Sequence, residues 1–198
     1  MQVSESELEK ECGVRIARGS KSFAFASRLF GPIERRGAFL LYAWCRAADD
    51  AIDQAASQAP EDRLRELRAR TAECFQGGAT LSPNPSVSPG DRFPYLGLAW
   101  VARTFSVPPL YASDLLDGME TDVLLDAGRF VFDTPETLRL YCYRVAGAVG
   151  ILMSHVMGVS DLSALDHAAE LGIAMQLTNI SRNVFENARN ERVYLPLN

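Results

Sequence analysis

Apolar residues recur along this chain three and four apart, and nowhere alternate with period two for long. That spacing predicts an all-α protein without a sheet, six to eight helices packed around a central pocket. Ser4 to Arg18 reads as a first helix, with Ser4 as its cap and Glu7 in capping-box position. Phe23 to Phe30 is apolar and aromatic, and Gly31-Pro32 ends it. Gly37 to Ala56 is a long run of good helix formers, with no proline until Pro60. Glu61 to Phe75 alternates charges with Leu64 and Leu67, as a solvated amphipathic helix does. Gly77-Gly78 through Pro83, Pro85, Pro89 and Gly90 is the one long loop, read as a surface connection within a single domain spanning 1–198. Helices are then predicted over Phe93 to Phe105 and from Pro108-Pro109 to about Leu125. Asp133-Thr134-Pro135-Glu136 opens another, which runs to about Met157. The last is predicted from near Ser163 to about Ala188.

Two of these helices carry the same polar stripe. Arg46, Asp49, Asp50 and Asp53 stand at offsets 0, 3, 4 and 7, which fall on one side of a helix. Leu41, Trp44, Ala48, Ile52 and Ala55 take the opposite side. Crowded carboxylates repel one another and need cations to hold them. Phe39 and Tyr42 sit one to two turns earlier on the acidic side, where a solvated face would not place aromatics. The arrangement predicts a helix buried on both sides, one against the core and one lining a cavity with an acidic end. Solvated surface is the plain alternative for such a cluster. Carboxylates at i and i+4 suit a hard divalent cation that bridges to substrate phosphates. In the last helix Asn179, Arg182, Asn183 and Glu186 repeat the offsets 0, 3, 4 and 7. Two such stripes on long apolar helices predict polar groups aimed at each other across a cavity.

Other polar groups weigh less. Gly19-Ser20-Lys21-Ser22-Phe23 offers two hydroxyls, an ammonium and free backbone N–H groups, a combination that favours anions at a helix start. A plain helix cap is the other reading. Asp114, Asp117, Glu120 and Asp122 are poorly aligned and read as solvated or pocket-rim groups. Gly147 and Gly150 read first as sites of close helix packing, with room for a ligand as the alternative.

Composition narrows the picture further. The 198 residues are 47% hydrophobic and 23% charged, as in an ordinary globular domain. A formal net charge of -5 argues against nucleic acid as the main partner. Cys12, Cys45, Cys74 and Cys142 lie far apart and form no CxxC, which points to buried thiols in a reducing compartment. Two histidines, His155 and His167, without HExxH, argue against a histidine-ligated metal. The polar, acidic start is neither a secretory signal nor a transit peptide. The uncharged run from Val145 to Ser160 is too short and mixed for a membrane span and reads as a core helix. The expectation is a cytosolic protein, with a lipid substrate able to hold it at a membrane surface.

Several short stretches, in this order, resemble the squalene/phytoene synthase family, and among its members the bacterial phytoene synthases. They are Gly19-Ser20-Lys21-Ser22-Phe23, Leu41-Tyr42-Ala43-Trp44-Cys45-Arg46 leading into Asp49-Asp50-Ala51-Ile52-Asp53, Asp117-Gly118-Met119, Tyr141-Cys142-Tyr143-Arg144-Val145-Ala146-Gly147, Gln176-Leu177-Thr178-Asn179-Ile180 and Arg192-Val193-Tyr194-Leu195-Pro196. The resemblance implies a helical isoprenoid-synthase fold and head-to-head condensation of two geranylgeranyl diphosphates to phytoene through a cyclopropyl diphosphate. It implies Mg²⁺, or Mn²⁺ in its place, and no NADPH. Asp49, Asp53 and Asn179, with Asn183 and Asn187, would hold the metal. Arg46, Arg182, Lys21, Ser20 and Ser22 would stabilise the departing diphosphate, and Asp50 shares the catalytic stripe. Gln176, Arg192, Phe23 and Tyr42 would contact substrate. Tyr141 would guide the cationic intermediate, and Phe23, Phe39, Tyr42 and Tyr141 would form its aromatic wall.

Two departures qualify the implication. Asn183 and Asn187 stand where the family places aspartates, which leaves Glu186 as the only acid in that motif and predicts a slow or inactive enzyme. The chain stops just after Tyr194-Leu195-Pro196, where family members continue with further helices, so an exposed apolar patch is expected at their docking site. Two other functions keep the fold: condensation of farnesyl diphosphate to a squalene-type C30 product, or a non-catalytic relative that serves as a binding module.

Overall fold

The structure, a computed structural model, describes residues 29–53, 59–76 and 89–196. The first predicted helix and the 19–23 segment lie outside the described residues. Among those described, every regular element is helical: α1 Pro32–Asp53, α2 Pro60–Phe75, α3 Pro89–Thr104, α4 Pro109–Asp126, α5 Pro135–Cys142, a π-helical turn Tyr143–Gly147, α6 Ala148–Val156, α7 Leu162–Arg182 and α8 Val184–Arg189.

Proline opens α1 through α5. The ring presets φ near the helical value, and its missing N–H is one that a first turn leaves unpaired anyway. Thr134 adds a side-chain cap at α5, where it exchanges hydrogen bonds with Thr137. Asp161 caps α7 by accepting from the Ala164 N–H.

Helix α3 begins at Pro89, four residues earlier than the apolar pattern indicates, and it absorbs Pro94. A proline inside a helix removes one hydrogen bond and crowds the carbonyl four residues before it. Here that penalty is met by full burial of the ring.

The larger core gathers the expected apolar faces. Leu40, Leu41, Trp44 and Ala48 of α1 meet Leu67 of α2, Leu98 and Val101 of α3, Leu115 and Leu116 of α4, and Leu152 and Val156 of α6. Each fully buried leucine contributes about 1.5–3 kcal/mol. A second cluster joins Phe132, Leu138 and Tyr141 to Ile173 and Ile180 of α7 and to Tyr194. A third sets Ile151 of α6 against Leu165 and Ala169 of α7. Thus α6 turns Leu152 toward α1 and Ile151 toward α7, and stands between the two helices that carry the polar stripes.

The α6–α7 contact is backbone to backbone. A Cβ at Gly150 would lie 2.7 Å from the Ala168 carbonyl oxygen, and one at Gly172 would lie 2.5 Å from that of Ala146. Close packing is therefore the role of Gly150, as its spacing suggests. These pairings also show that α6 and α7 run antiparallel.

Two expectations fail. The final helix is not continuous to Ala188: Asn183 leaves helical geometry at φ -104° and ψ 18°, and α8 starts afresh at Val184. The Asn183 side chain donates to Asn179 Oδ1 at 3.0 Å, the kind of local bond that competes with a helical backbone. Glu186 therefore leaves the stripe that Asn179 and Arg182 share. Of the α4 acids only Glu120 is exposed as expected; Asp114, Asp117 and Asp122 are half-buried and bonded. Asp114 accepts from the Tyr143 hydroxyl at 2.7 Å, Asp117 pairs with Arg68 at 2.6 Å, Glu120 pairs with Arg68 at 3.0 Å, and Asp122 accepts from two tyrosines. Helix α4 touches α2, the π turn and α6, so little of its circumference is left to water.

Candidate active site

A cavity of about 890 Å³ opens between the π turn, α6 and α7. Because the helices are antiparallel, it runs from Met157 and Ala168 at one end to Val145, Asn179 and Arg182 at the other. Val149, Met153, Leu171 and Met175 make its length apolar, and Gln176, Asn179 and Arg182 gather at its far end. Leu171 and Met175 are 64% and 65% exposed at its rim.

The polar end is internally bonded. Arg182 donates to Asn179 Oδ1 at 2.7 Å, and the same oxygen accepts from Asn183. Arg182 also approaches Asn183 Oδ1 at 3.3 Å. Asn187 is half-buried one turn into α8, while Glu186 is exposed.

The acidic stripe of α1 is held by its own arginine. Arg46 contacts Asp49 at 3.1 Å and Asp50 at 2.8 Å. All three side chains are about half exposed, so the pairs add little to stability and leave the groups free to exchange partners. Cys45, next to them and half-buried against the larger core, has its thiol pushed up to about 12, first by desolvation and then by the Asp49 charge. Asp53 is the last residue of α1, and its side chain lies outside the described set. Tyr42 is half-buried one turn before Arg46. Ser20, Lys21, Ser22 and Phe23 lie outside the described residues.

The described cavity wall comes from the π turn, α6 and α7, and no residue of the α1 stripe lines it. Among the described residues, no three histidine, cysteine, aspartate or glutamate side chains are grouped to hold a metal. The donors that are present, carboxylate oxygens on α1 and amide oxygens on α7 and α8, are all hard oxygens of the type Mg²⁺ takes.

Tyr141 and Arg192 also stand apart from this wall. Tyr141 is 4% exposed in the second core, where it packs against Phe132 and Tyr194 with ring centroids 5.3 and 5.4 Å away. Its hydroxyl donates to Asp122 at 2.9 Å. The expected aromatic wall is thus aliphatic and methionine-rich among the described residues, because Tyr141 turns toward α4 and Phe39 packs against the larger core. Arg192 meets Asp126 through two 2.6 Å hydrogen bonds.

Asp122 is the group the sequence does not reveal. Burial raises its carboxyl to about 6, against the opposing effect of hydrogen bonds from Tyr141 and Tyr194 and the charge of Arg192. Burial and the neighbouring Asp122 charge push the Tyr194 hydroxyl up to about 12 and raise that of Tyr141 further. The only sequence signal would have been an acid flanked by buried Thr121 and Val123.

Among the described residues the fold is all-α, and its apolar cavity ends in amides and an arginine. Comparison with known proteins makes the class specific. The squalene/phytoene synthase profile matches residues 16–198, and the chain belongs to that family. It is 42% identical over 190 residues to a 15-cis-phytoene synthase of Pantoea ananas, covering 91% of this chain and 57% of that protein. It is 43% identical over 188 residues to a 15-cis-phytoene synthase of Paracoccus, with 91% and 57% covered. A dehydrosqualene synthase crystal structure superposes with a TM-score of 0.74 at 30% identity, over 96% of this chain and 62% of that one. A squalene synthase from Alicyclobacillus acidocaldarius shares the fold, with a TM-score of 0.79 at 23% identity over 98% and 68%. The chain spans about three fifths of the length of the curated relatives it matches. Among the described residues, no helix is long and apolar enough to cross a membrane.

Proposed function

We propose that this chain carries the diphosphate-binding part of a phytoene synthase. The observation that carries the reading is the apolar cavity that ends in Gln176, Asn179 and Arg182, in a chain more than 40% identical to named phytoene synthases. The substrate is a pair of geranylgeranyl diphosphates. Their apolar tails lie along Val149, Met153, Leu171 and Met175, and their heads reach the polar end.

Loss of diphosphate from C1 of one molecule leaves an allylic cation. The double bond of the second molecule attacks it, and loss of a proton closes a cyclopropyl diphosphate. Departure of the second diphosphate, rearrangement and loss of another proton give phytoene, with no reductant consumed. The residues would supply charge where charge appears: Arg182 stands at the polar end of the cavity, and Arg46, Lys21, Ser20 and Ser22 would add positive charge and donors to the departing anions. Asp49, Asp53, Asn179, Asn183 and Asn187 would hold Mg²⁺, which supplies Lewis-acid stabilisation of the leaving group. The apolar wall excludes water that would quench a cation. Two amides in place of carboxylates lower the negative charge available to the metal, so turnover is slow. Substrate of this kind reaches the protein from a membrane surface.

The test is a Mg²⁺-dependent product assay with geranylgeranyl and farnesyl diphosphate, run on this chain and on a version extended by the C-terminal region of a relative. Phytoene from the C20 substrate supports the proposal. A C30 product alone assigns the farnesyl reaction. No product, with no diphosphate binding, assigns a non-catalytic role.

A further inference from the structure

Helix α8 has no buried residue. Its six residues cannot be fixed by their own packing, yet Asn187 lies on it and Asn183 opens it. What holds such a helix is whatever ties its two ends. The first end is tied at Asn183, through the Asn179 side chain and the Asn179 carbonyl oxygen. The far end turns back: the Arg192 N–H donates to the Asn187 carbonyl at 2.9 Å, and Glu191 takes a left-handed φ of 59°. The chain then runs onto α4, where Arg192 pairs with Asp126 and the Tyr194 hydroxyl reaches Asp122 at 3.1 Å.

Of these two attachments, the Arg192–Asp126 pair is bidentate but open to solvent, its side chains 32% and 44% exposed. The Asp122 attachment is different. Tyr194 is 8% exposed and packs against Tyr141 and Phe132, and the Asp122 carboxylate accepts from both tyrosine hydroxyls. Tyr141 is itself fixed in the second core by α5 and α7. One carboxylate therefore joins α4, the helix leading into the cavity wall, and the segment that ends α8.

We propose that Asp122 is a positioning residue: by gripping Tyr194 against Tyr141 it sets where α8 lies and so where Asn187 stands relative to Asn183 and Asn179. Asp122 itself touches neither metal nor substrate. The inference rests on the diphosphate-binding reading only for what the placed amides do, and not for the anchoring.

Hydrogen exchange and ligand binding test it separately on the full chain. Asp122→Ala speeds exchange of the 184–194 amides by tenfold or more and leaves those of α6 and the 165–175 part of α7 unchanged. Asp122→Asn, whose amide oxygen still accepts from both hydroxyls, restores slow exchange. Tyr194→Phe cuts only the tie to the arm, keeps the Tyr141 bond, and loosens the same stretch; it decides the matter if Asp122→Ala does not fold. With inorganic pyrophosphate and Mg²⁺ as the probe, Asp122→Ala weakens binding about tenfold and Asp122→Asn recovers most of it. Unchanged exchange over 184–194 in both folded variants overturns the anchor. Looser exchange with unchanged pyrophosphate affinity overturns its link to the site. A wild-type chain that binds no pyrophosphate overturns the diphosphate reading, and the exchange data then decide the anchor alone.

Discussion

A Cβ on Gly172 would lie 2.5 Å from the carbonyl oxygen of Ala146 and 2.8 Å from the Gly147 Cα. Both neighbours are backbone of the π turn, so neither can rotate away. The two helical segments that frame the cavity touch at this point with no side chain between them. Gly172→Ala must therefore separate them. We predict a loss of about 2–3 kcal/mol, read as a lower midpoint in urea unfolding. Gly128→Ala is the contrasting control: nothing lies within 4 Å of its Cβ position, but its φ of 65° charges about 1 kcal/mol for the left-handed backbone.

Asp122 gives the protein a pH dependence of unusual sign for a carboxylate. Burial raises its folded value to about 6, while an unfolded aspartate titrates near 3.9. The folded state holds the extra proton between those values, so this group's stability is fully present below about 4 and is lost as the pH rises through 6. The difference is on the order of 3 kcal/mol. Thermal melts from pH 4 to 7 should show this decline in the wild type, and Asp122→Asn should lack it. A wild-type curve parallel to that of the variant would contradict the assignment.

The thiols of Cys45 and Cys74 are both pushed up to about 12, in each case chiefly by burial. At pH 8 a thiol of that kind is roughly one part in 10⁴ thiolate. Iodoacetamide should label neither cysteine in the folded protein over an hour and both at once in urea, as read by peptide mass mapping. Rapid native labelling of Cys74 would show that the α2–α3 contact opens.

The amides of the second polar stripe predict a gain of function. Asn183→Asp with Asn187→Asp adds two carboxylates, one beside Asn179 and one a turn into α8, and metal affinity follows ligand charge. Mg²⁺ affinity in the presence of pyrophosphate should rise roughly tenfold. Equal affinity in the wild type and the double variant would contradict the reading that charge at these positions limits the site.

Much of this was legible in the chain, for a physical reason that differs from element to element. The core face of α1 showed itself because Leu41, Trp44 and Ala48 repeat at helical spacing and a solvated helix has no cause to do that. Pro109, Pro135 and Thr134 marked helix starts because their local chemistry suits a first turn, whereas Pro32 and Pro89 read as turn and loop and yet open α1 and α3. Gly150 announced close packing by the same logic. What stayed hidden depends on contacts across the fold. Asn183 breaks the last helix through a side-chain bond that no period reveals. Asp122 reads as one more surface acid because its partners, Tyr141 and Tyr194, are 19 and 72 residues away. Tyr141 has the right type for a cavity wall, and only packing shows that it turns to α4 instead. The acids of α1 were visible as a stripe, and their pairing with Arg46 follows from the same three- and four-residue spacing.

The central claim of the proposed function is that the α1 acids, which stand outside the described cavity wall, and the α7 amides grip one diphosphate together. Calorimetric titration with inorganic pyrophosphate, with and without Mg²⁺, measures this directly on the wild type, Asp49→Ala, Asn179→Ala and the double variant. The account predicts binding only with Mg²⁺, a loss of about tenfold for each single change, and a double variant little worse than either single one, as expected for groups that share a ligand. Binding that ignores Mg²⁺, or that survives both changes, would contradict it.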